Sequence, residues 1–123
     1  MICLDTNYLI LGLSPSTLES ANLVAWSRSG EILVTAAPAW YEFLCGPVDR
    51  AQIAVMAAFL SQIIPFSDPQ ARAAASLFNA AGRRRSLRVD AMIAGTAIAE
   101  EAALATNNQA DFTHFVPHGL QLA

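Results

Sequence analysis

Met1-Ile2-Cys3-Leu4-Asp5-Thr6-Asn7 is the segment that decides the fold. Its apolar run, Ile2 to Leu4, is short, shows no polar alternation and stops at a carboxylate. That pattern predicts a strand buried on both faces, the case met in parallel sheets. Asp5 then stands at the carboxyl end of a central strand, where open α/β sheets place their ligands. An Asp at such a place also serves to open a turn or cap the next helix. Taken alone, Asp5 fits both roles.

Outward from this strand the chain alternates helix and strand signals. Residues 7–13 suit a turn or one loose helical turn. Pro15-Ser16-Thr17-Leu18-Glu19 predicts a helix start, with Ser16 as N-cap and Glu19 completing a capping box. Gly30 stops that helix. Residues 31–35, β-branched and apolar, predict a second buried strand. Ala37-Pro38 starts a helix with proline in the first turn, where its missing N–H costs nothing, and Gly46-Pro47 ends it. Asp49 and Gln52 form another capping box, with Val48 and Ile53 spaced as a hydrophobic staple; this helix is expected to reach residue 62. A strand at 63–66, a helix capped by Asp68 and closed by Gly82, an Ala-rich helix at 90–102, a strand at 104–106 and an edge strand within 115–122 complete the series. Strands alternating with helices predict an α/β sandwich around a mostly parallel sheet. With 123 residues and no linker or internal repeat, one domain spanning 1–123 is expected.

Hydrophobic residues make up 54% of the chain and charged residues 14%, so part of the surface is expected to lie against a partner. The most apolar segment, 51–66, is broken by Gln52, Ser61, Gln62 and Pro65 and is too short to span a membrane. No basic region follows Met1, as a secretory signal would need. Cys3 and Cys45, in apolar surroundings with no paired spacing, read as buried free thiols. A cytoplasmic protein with no membrane partner is expected.

The net charge of −3 argues against nucleic-acid binding through bulk field. The positive charge is uneven, however: all seven basic residues are arginine, and four are Arg83, Arg84, Arg85 and Arg88. The absence of lysine excludes a P-loop and Schiff-base chemistry. It also counts against Asp5 as a phosphoacceptor, because receiver domains and haloacid-dehalogenase phosphatases, which resemble this start, balance their phosphate with a lysine.

Among the other acids, Glu42 lies in Ala39-Trp40-Tyr41-Glu42-Phe43-Leu44, a helix of mostly core-type residues. Asp90 stands between Val89 and Ala91-Met92-Ile93-Ala94, at a helix N-terminus whose dipole favours the ionised form by roughly 0.3–1 kcal/mol. After the strand at 104–106 come Asn107, Asn108 and Asp111, oxygen ligands at a second strand end. Caps or exposed faces account for Glu19, Glu31, Asp49, Asp68, Glu100 and Glu101. Three or four carboxylates gathered at the strand ends would raise one another's pKa values unless a cation sat among them. Hard oxygen ligands without a Cys or His cluster select Mg²⁺ or Mn²⁺ over zinc. Such an ion activates water and neutralises charge at a phosphoryl centre.

Leu4-Asp5-Thr6-Asn7, Glu42 in the helix after the second strand, Asp90-Ala91-Met92-Ile93-Ala94, and Leu104-Ala105-Thr106-Asn107-Asn108-Gln109-Ala110-Asp111-Phe112 together resemble the PIN domain. They are most similar to VapC-type toxins of bacterial toxin–antitoxin pairs. Each motif is weak alone; their order and spacing, over nearly the whole chain, are specific. The resemblance implies a three-layer α/β/α fold and a Mg²⁺- or Mn²⁺-dependent endoribonuclease acting on RNA. It also implies a homodimer, held inactive by a small VapB-like antitoxin whose tail lies over the active site. Carried over residue by residue, Asp5, Glu42 and Asp90 match the family's three most constant acids, the catalytic and metal-binding set. The fourth acidic place falls on Asn108, an amide that ligates through its carbonyl without adding charge. Asp111 stands at the rim, and the number of ions, one or two, stays open. Asn7 matches a polar residue that hydrogen-bonds behind the ligands, and Thr106 shares that part.

Arg83, Arg84, Arg85 and Arg88 are either a solvated loop or an RNA contact, because a loop leading into Asp90 brings guanidinium groups near the scissile strand. Trp40 and Tyr41 suit core or dimer packing, or stacking on bases. His114 and His118 fit no catalytic or metal spacing. The rival reading is a PIN-like module that binds a partner and cuts nothing, supported by the amide at 108.

Overall fold

A computed structural model describes residues 1–123. Four short strands make one sheet: β1 (Ile2–Leu4), β2 (Leu33–Ala36), β3 (Gln62–Ile64) and β4 (Ala103–Ala105). Their order is β3-β2-β1-β4 and every pair is parallel. All of β1 and β2 is buried, as strands covered by helices on both faces must be. The covering helices are α1 (Thr6–Leu11), α2 (Leu18–Arg28), α3 (Ala37–Leu44), α4 (Arg50–Phe59), α5 (Asp68–Ala80), α6 (Arg88–Ala99) and the short α7 (Gln109–Phe112). The expected α/β layering around a parallel sheet is present. Phe43, Phe112, Phe115, Leu4, Leu9 and Leu23 fill the core with no exposed surface.

The strand order positions the site. From β1 the chain builds β2 and β3 to one side, then returns to add β4 on the other. The order therefore reverses at the β1–β4 boundary, which opens a crevice outside the carboxyl ends. Register pairs Leu4 with both Thr35 and Ala105, so Asp5 and Thr106 leave the sheet side by side. Asp5 N–H donates to Ala105 O at 3.0 Å. The Thr35 hydroxyl donates to Leu4 O at 2.8 Å, a buried bond tying β2 to β1 beneath the crevice. On the flank, α6 packs on α5, and at Gly95 a Cβ would come within 2.5 Å of Ala74 N.

Several boundaries differ from the sequence pattern. Thr17, not Ser16, caps α2: Ser16 is a left-handed turn residue with φ 73°, whereas Thr17 is extended and accepts from Ser20 N–H at 3.0 Å. Glu19 therefore closes no capping box. Asp49 and Gln52 do form theirs, each side chain accepting from the other's N–H. That helix ends at Phe59 rather than near 62, because β3 claims Gln62. Ser67 caps α5, its N–H donating to Gln70 Oε1, while Asp68 is already helical and pairs with Arg72 at 2.8 Å. A single 3-10 turn, Arg85–Leu87, precedes α6 and places Asp90 inside the helix's first turn. The expected edge strand at 115–122 is a 3-10 segment, Thr113–His118, followed by one parallel bridge from Leu122 to Leu104. Pro117 has no N–H for a ladder there. Cys3 is buried and burial pushes its thiol up to about 12, whereas Cys45 is exposed, contrary to expectation. No helix is long and apolar enough to cross a membrane.

Candidate active site

The chain leaves β1 at Asp5 and turns at once into α1. Asp5 caps that helix, its Oδ1 accepting from Thr6 N–H at 2.8 Å. Its Oδ2 accepts from the Thr106 hydroxyl at 2.8 Å, across the β1–β4 boundary. Cap and strand-end acid are thus the same residue. With one bond on each oxygen, Asp5 keeps a further lone pair on each. It is only 4% exposed. Burial pushes its carboxyl above the usual range, the hydrogen bonds from Thr106 and Thr6 pull it back, and the charge of Glu42 raises it again. Thr106, also buried, accepts from Asn108 N–H at 2.9 Å, so one hydroxyl fixes both Asp5 and the segment leaving β4.

Glu42 sits on α3, which packs against α1. It is exposed rather than held among core residues, because it lies off the helix face that buries Ala39 and Phe43. Its Oε1 accepts from the Thr6 hydroxyl at 2.8 Å. Thr6 therefore joins the two acids, its N–H on Asp5 and its hydroxyl toward Glu42. Sequence reading passed over Thr6, and a contact 36 residues away leaves no local signal. Asn7 is exposed on α1; the hydrogen bonds that reach Asp5 and Glu42 come from Thr6 and Thr106.

Asp90, half-buried in the first turn of α6, gathers the set. Its carboxyl is pushed up to about 6, first by burial and then by the charges of Asp5, Asp111 and Glu42. Asp90 on α6 thus lies within electrostatic reach of Asp5 at the end of β1, Glu42 on α3 and Asp111 on α7. Asn108 donates its amide to Asp111 Oδ2 at 3.0 Å, coupling the two candidates for the fourth place. The four arginines are exposed around the start of α6, and none forms an ion pair. Arg83 bonds Asn79 and lies over the Phe78 ring, 5.8 Å from its centroid. Arg84 Nη1 lies 3.3 Å from His114 Nε2, tying the basic loop to the tail.

Crowded acids of one sign, all hard oxygen donors, fit a divalent cation such as Mg²⁺. No three of them converge closely enough to chelate an ion unaided. An ion here would keep water in its remaining places, as Mg²⁺ does.

Residues 2–115 match the family description PIN domain. The chain belongs to the PIN domain family. No curated protein matches its sequence. Among solved structures, this PIN domain is similar to VapBC2 from Rickettsia felis, bound to a DNA fragment from their promoter, at 21% identity and TM-score 0.77 over 100% of this chain and 98% of that one. It is similar to FitAcB from Neisseria gonorrhoeae at 23% identity and TM-score 0.73, over 99% and 96%. A toxin–antitoxin complex from Klebsiella pneumoniae matches at 26% identity and TM-score 0.72, over 91% and 90%. At their identities the first two speak to the PIN fold alone.

Proposed function

We propose that this PIN domain is a Mg²⁺- or Mn²⁺-dependent endoribonuclease, the toxin of a type II toxin–antitoxin pair acting in the cytoplasm as a homodimer. The observation that carries the proposal is geometric: at the carboxyl end of a parallel sheet, Thr6 bonds both Asp5 and Glu42 while Thr106 bonds Asp5 from the neighbouring strand end. Asp5, Glu42 and Asp90 would hold the ion, in part through its water ligands, with the Asn108 carbonyl and Asp111 completing its surroundings. When bound, the ion supplies positive charge to the phosphoryl oxygens and lowers the pKa of water. Thr106 and Thr6 keep Asp5 and Glu42 in fixed orientations, an arrangement that typically governs metal affinity. Asp90 takes a proton from the attacking water at its carboxylate. Arg83, Arg84, Arg85 and Arg88 contact the RNA phosphates, where guanidinium groups suit paired oxygens. The similarity to the toxin–antitoxin complex from Klebsiella pneumoniae supports a VapB-like antitoxin as partner.

Incubation with total cellular RNA, with Mn²⁺ or with EDTA, tests the proposal. Mapped internal cuts that need Mn²⁺ and vanish in Asp5→Asn support it; cleavage undiminished in EDTA defeats the metal assignment. A second reading, a PIN module that binds its antitoxin without cutting, is favoured by the amide of Asn108 bonded to Asp111 in the fourth place. Growth inhibition lost in Asp5→Asn with antitoxin binding retained favours the nuclease.

A further inference from the structure

Residue 108 stands at the fourth place of the site and carries no charge. Its N–H donates to the Thr106 hydroxyl oxygen at 2.9 Å, and that hydroxyl donates to Asp5 Oδ2 at 2.8 Å. The backbone of Asn108 is thereby fixed just past the end of β4. From there its Nδ2 donates to Asp111 Oδ2 at 3.0 Å. An amide and a carboxylate can also face each other through a cation, each offering it an oxygen. In this protein the group turned toward Asp111 is the amide N–H, which ligates nothing and brings a partial positive charge of its own. Turning the amide over would set two oxygens against each other with no proton between them. The Asp111 carboxylate therefore holds the amide in the orientation that excludes a bridging ion.

Two ions sharing one site lie about 3.5–4 Å apart, and each needs oxygen donors of its own. On the side of α3 such donors exist, since Asp5 and Glu42 are joined through Thr6. On the side of β4 they are spent. The Thr106 hydroxyl is committed to Asp5 and to Asn108 N–H, residue 108 adds no charge, and one oxygen of Asp111 already accepts from the amide. A second ion there would meet a single carboxylate with half of its donors engaged. We propose that this protein holds one divalent ion per chain, and that the Asn108 amide, bonded to Asp111, takes the place of a second. Asn108 is in this respect a positioning residue: it neutralises and orients Asp111, whose charge reaches Asp90. Its carbonyl oxygen stays free for the ion held by Asp5, Glu42 and Asp90. The inference rests on the metal-dependent reading above.

The test counts Mn²⁺ on the purified full chain by equilibrium dialysis and records its electron paramagnetic resonance, neither of which depends on cleavage. Counts are taken above that of Asp5→Asn, which empties the site and leaves the surface acids in place. The wild type is expected to bind about one Mn²⁺ per chain, with the hyperfine pattern of an isolated ion. Asn108→Asp keeps the shape of the side chain and the backbone bond to Thr106, and it sets a second carboxylate against Asp111. That variant should raise the count to about two, with the exchange-coupled signal of neighbouring ions. Two coupled ions on the wild type overturn the inference and leave the metal-dependent nuclease standing. So does a single ion on Asn108→Asp whose circular dichroism matches the wild type. A wild type that binds no more Mn²⁺ than Asp5→Asn defeats the metal assignment itself, and the inference falls with it.

Discussion

Replacing Asp90 by Asn should stabilise the metal-free protein above pH 6 while abolishing cleavage. The carboxyl moves from 3.8 to about 6 on folding, driven by burial and by Asp5, Asp111 and Glu42. A gap of that size between folded and unfolded states corresponds to about 3 kcal/mol against folding once Asp90 is ionised in both. Half of the side chain meets solvent, which screens the repulsion and leaves about 1.5 kcal/mol. Loss of an ionised group from the first turn of α6 takes back roughly 0.3–1 kcal/mol. The net gain for Asp90→Asn is about 1 kcal/mol, or a Tm roughly 3–5 °C higher for a chain of this size. The sign follows from linkage. A carboxyl whose folded pKa is raised binds its proton more tightly when folded. Its favourable contribution is complete below the unfolded pKa and is lost as pH rises through about 6. Thermal melts in EDTA at pH 4 and pH 8 read this directly: the variant should match the wild type at the lower pH and exceed it at the higher. A variant no more stable than the wild type at pH 8, or a gain that persists at pH 4, would refute the raised carboxyl of Asp90.

Other perturbations reach different parts of the account. Thr106→Val removes the hydroxyl that donates to Asp5 and accepts from Asn108 N–H. It should cost about 1–3 kcal/mol in urea unfolding and weaken Mn²⁺ binding roughly 10- to 100-fold by calorimetry. Gly95→Ala forces a Cβ to 2.5 Å from the backbone of Ala74, so the α5–α6 seam must part. The expected loss is about 1–3 kcal/mol, with activity falling because α6 carries Asp90. Arg88→Ala should leave the melting temperature unchanged and lower the dependence of log RNA affinity on log salt by about 0.7, the value for one phosphate contact on a single strand. A slope unchanged in that variant would return Arg88 to a solvated role.

How far the sequence spoke depended on the range of the interaction. The buried strands at Ile2–Leu4 and Leu33–Ala36 and the box between Asp49 and Gln52 were legible because three or four consecutive residues carry the cause. Ser16 and Thr17 were not separable, since either hydroxyl can cap and only the backbone conformation decides. Glu42 was placed rightly on its helix but wrongly among core residues, because helical position does not say which face the rest of the fold covers. That Asp5 and the segment leading to Asp111 leave the sheet at one edge followed from parallel strand order. The threonines that orient the acids lay beyond reach: Thr6 meets Glu42 across 36 residues and Thr106 meets Asp5 across 101. Thr106 surfaced only through family resemblance.

The central claim, that acids from the end of β1, from α3 and from α6 share one divalent ion, is tested most directly by anomalous diffraction from a crystal soaked in Mn²⁺. One strong peak within coordination distance, direct or through a single water, of Asp5, Glu42 and Asp90 is the predicted result. A crystal whose Mn²⁺ sites all lie away from these three carboxylates would contradict it.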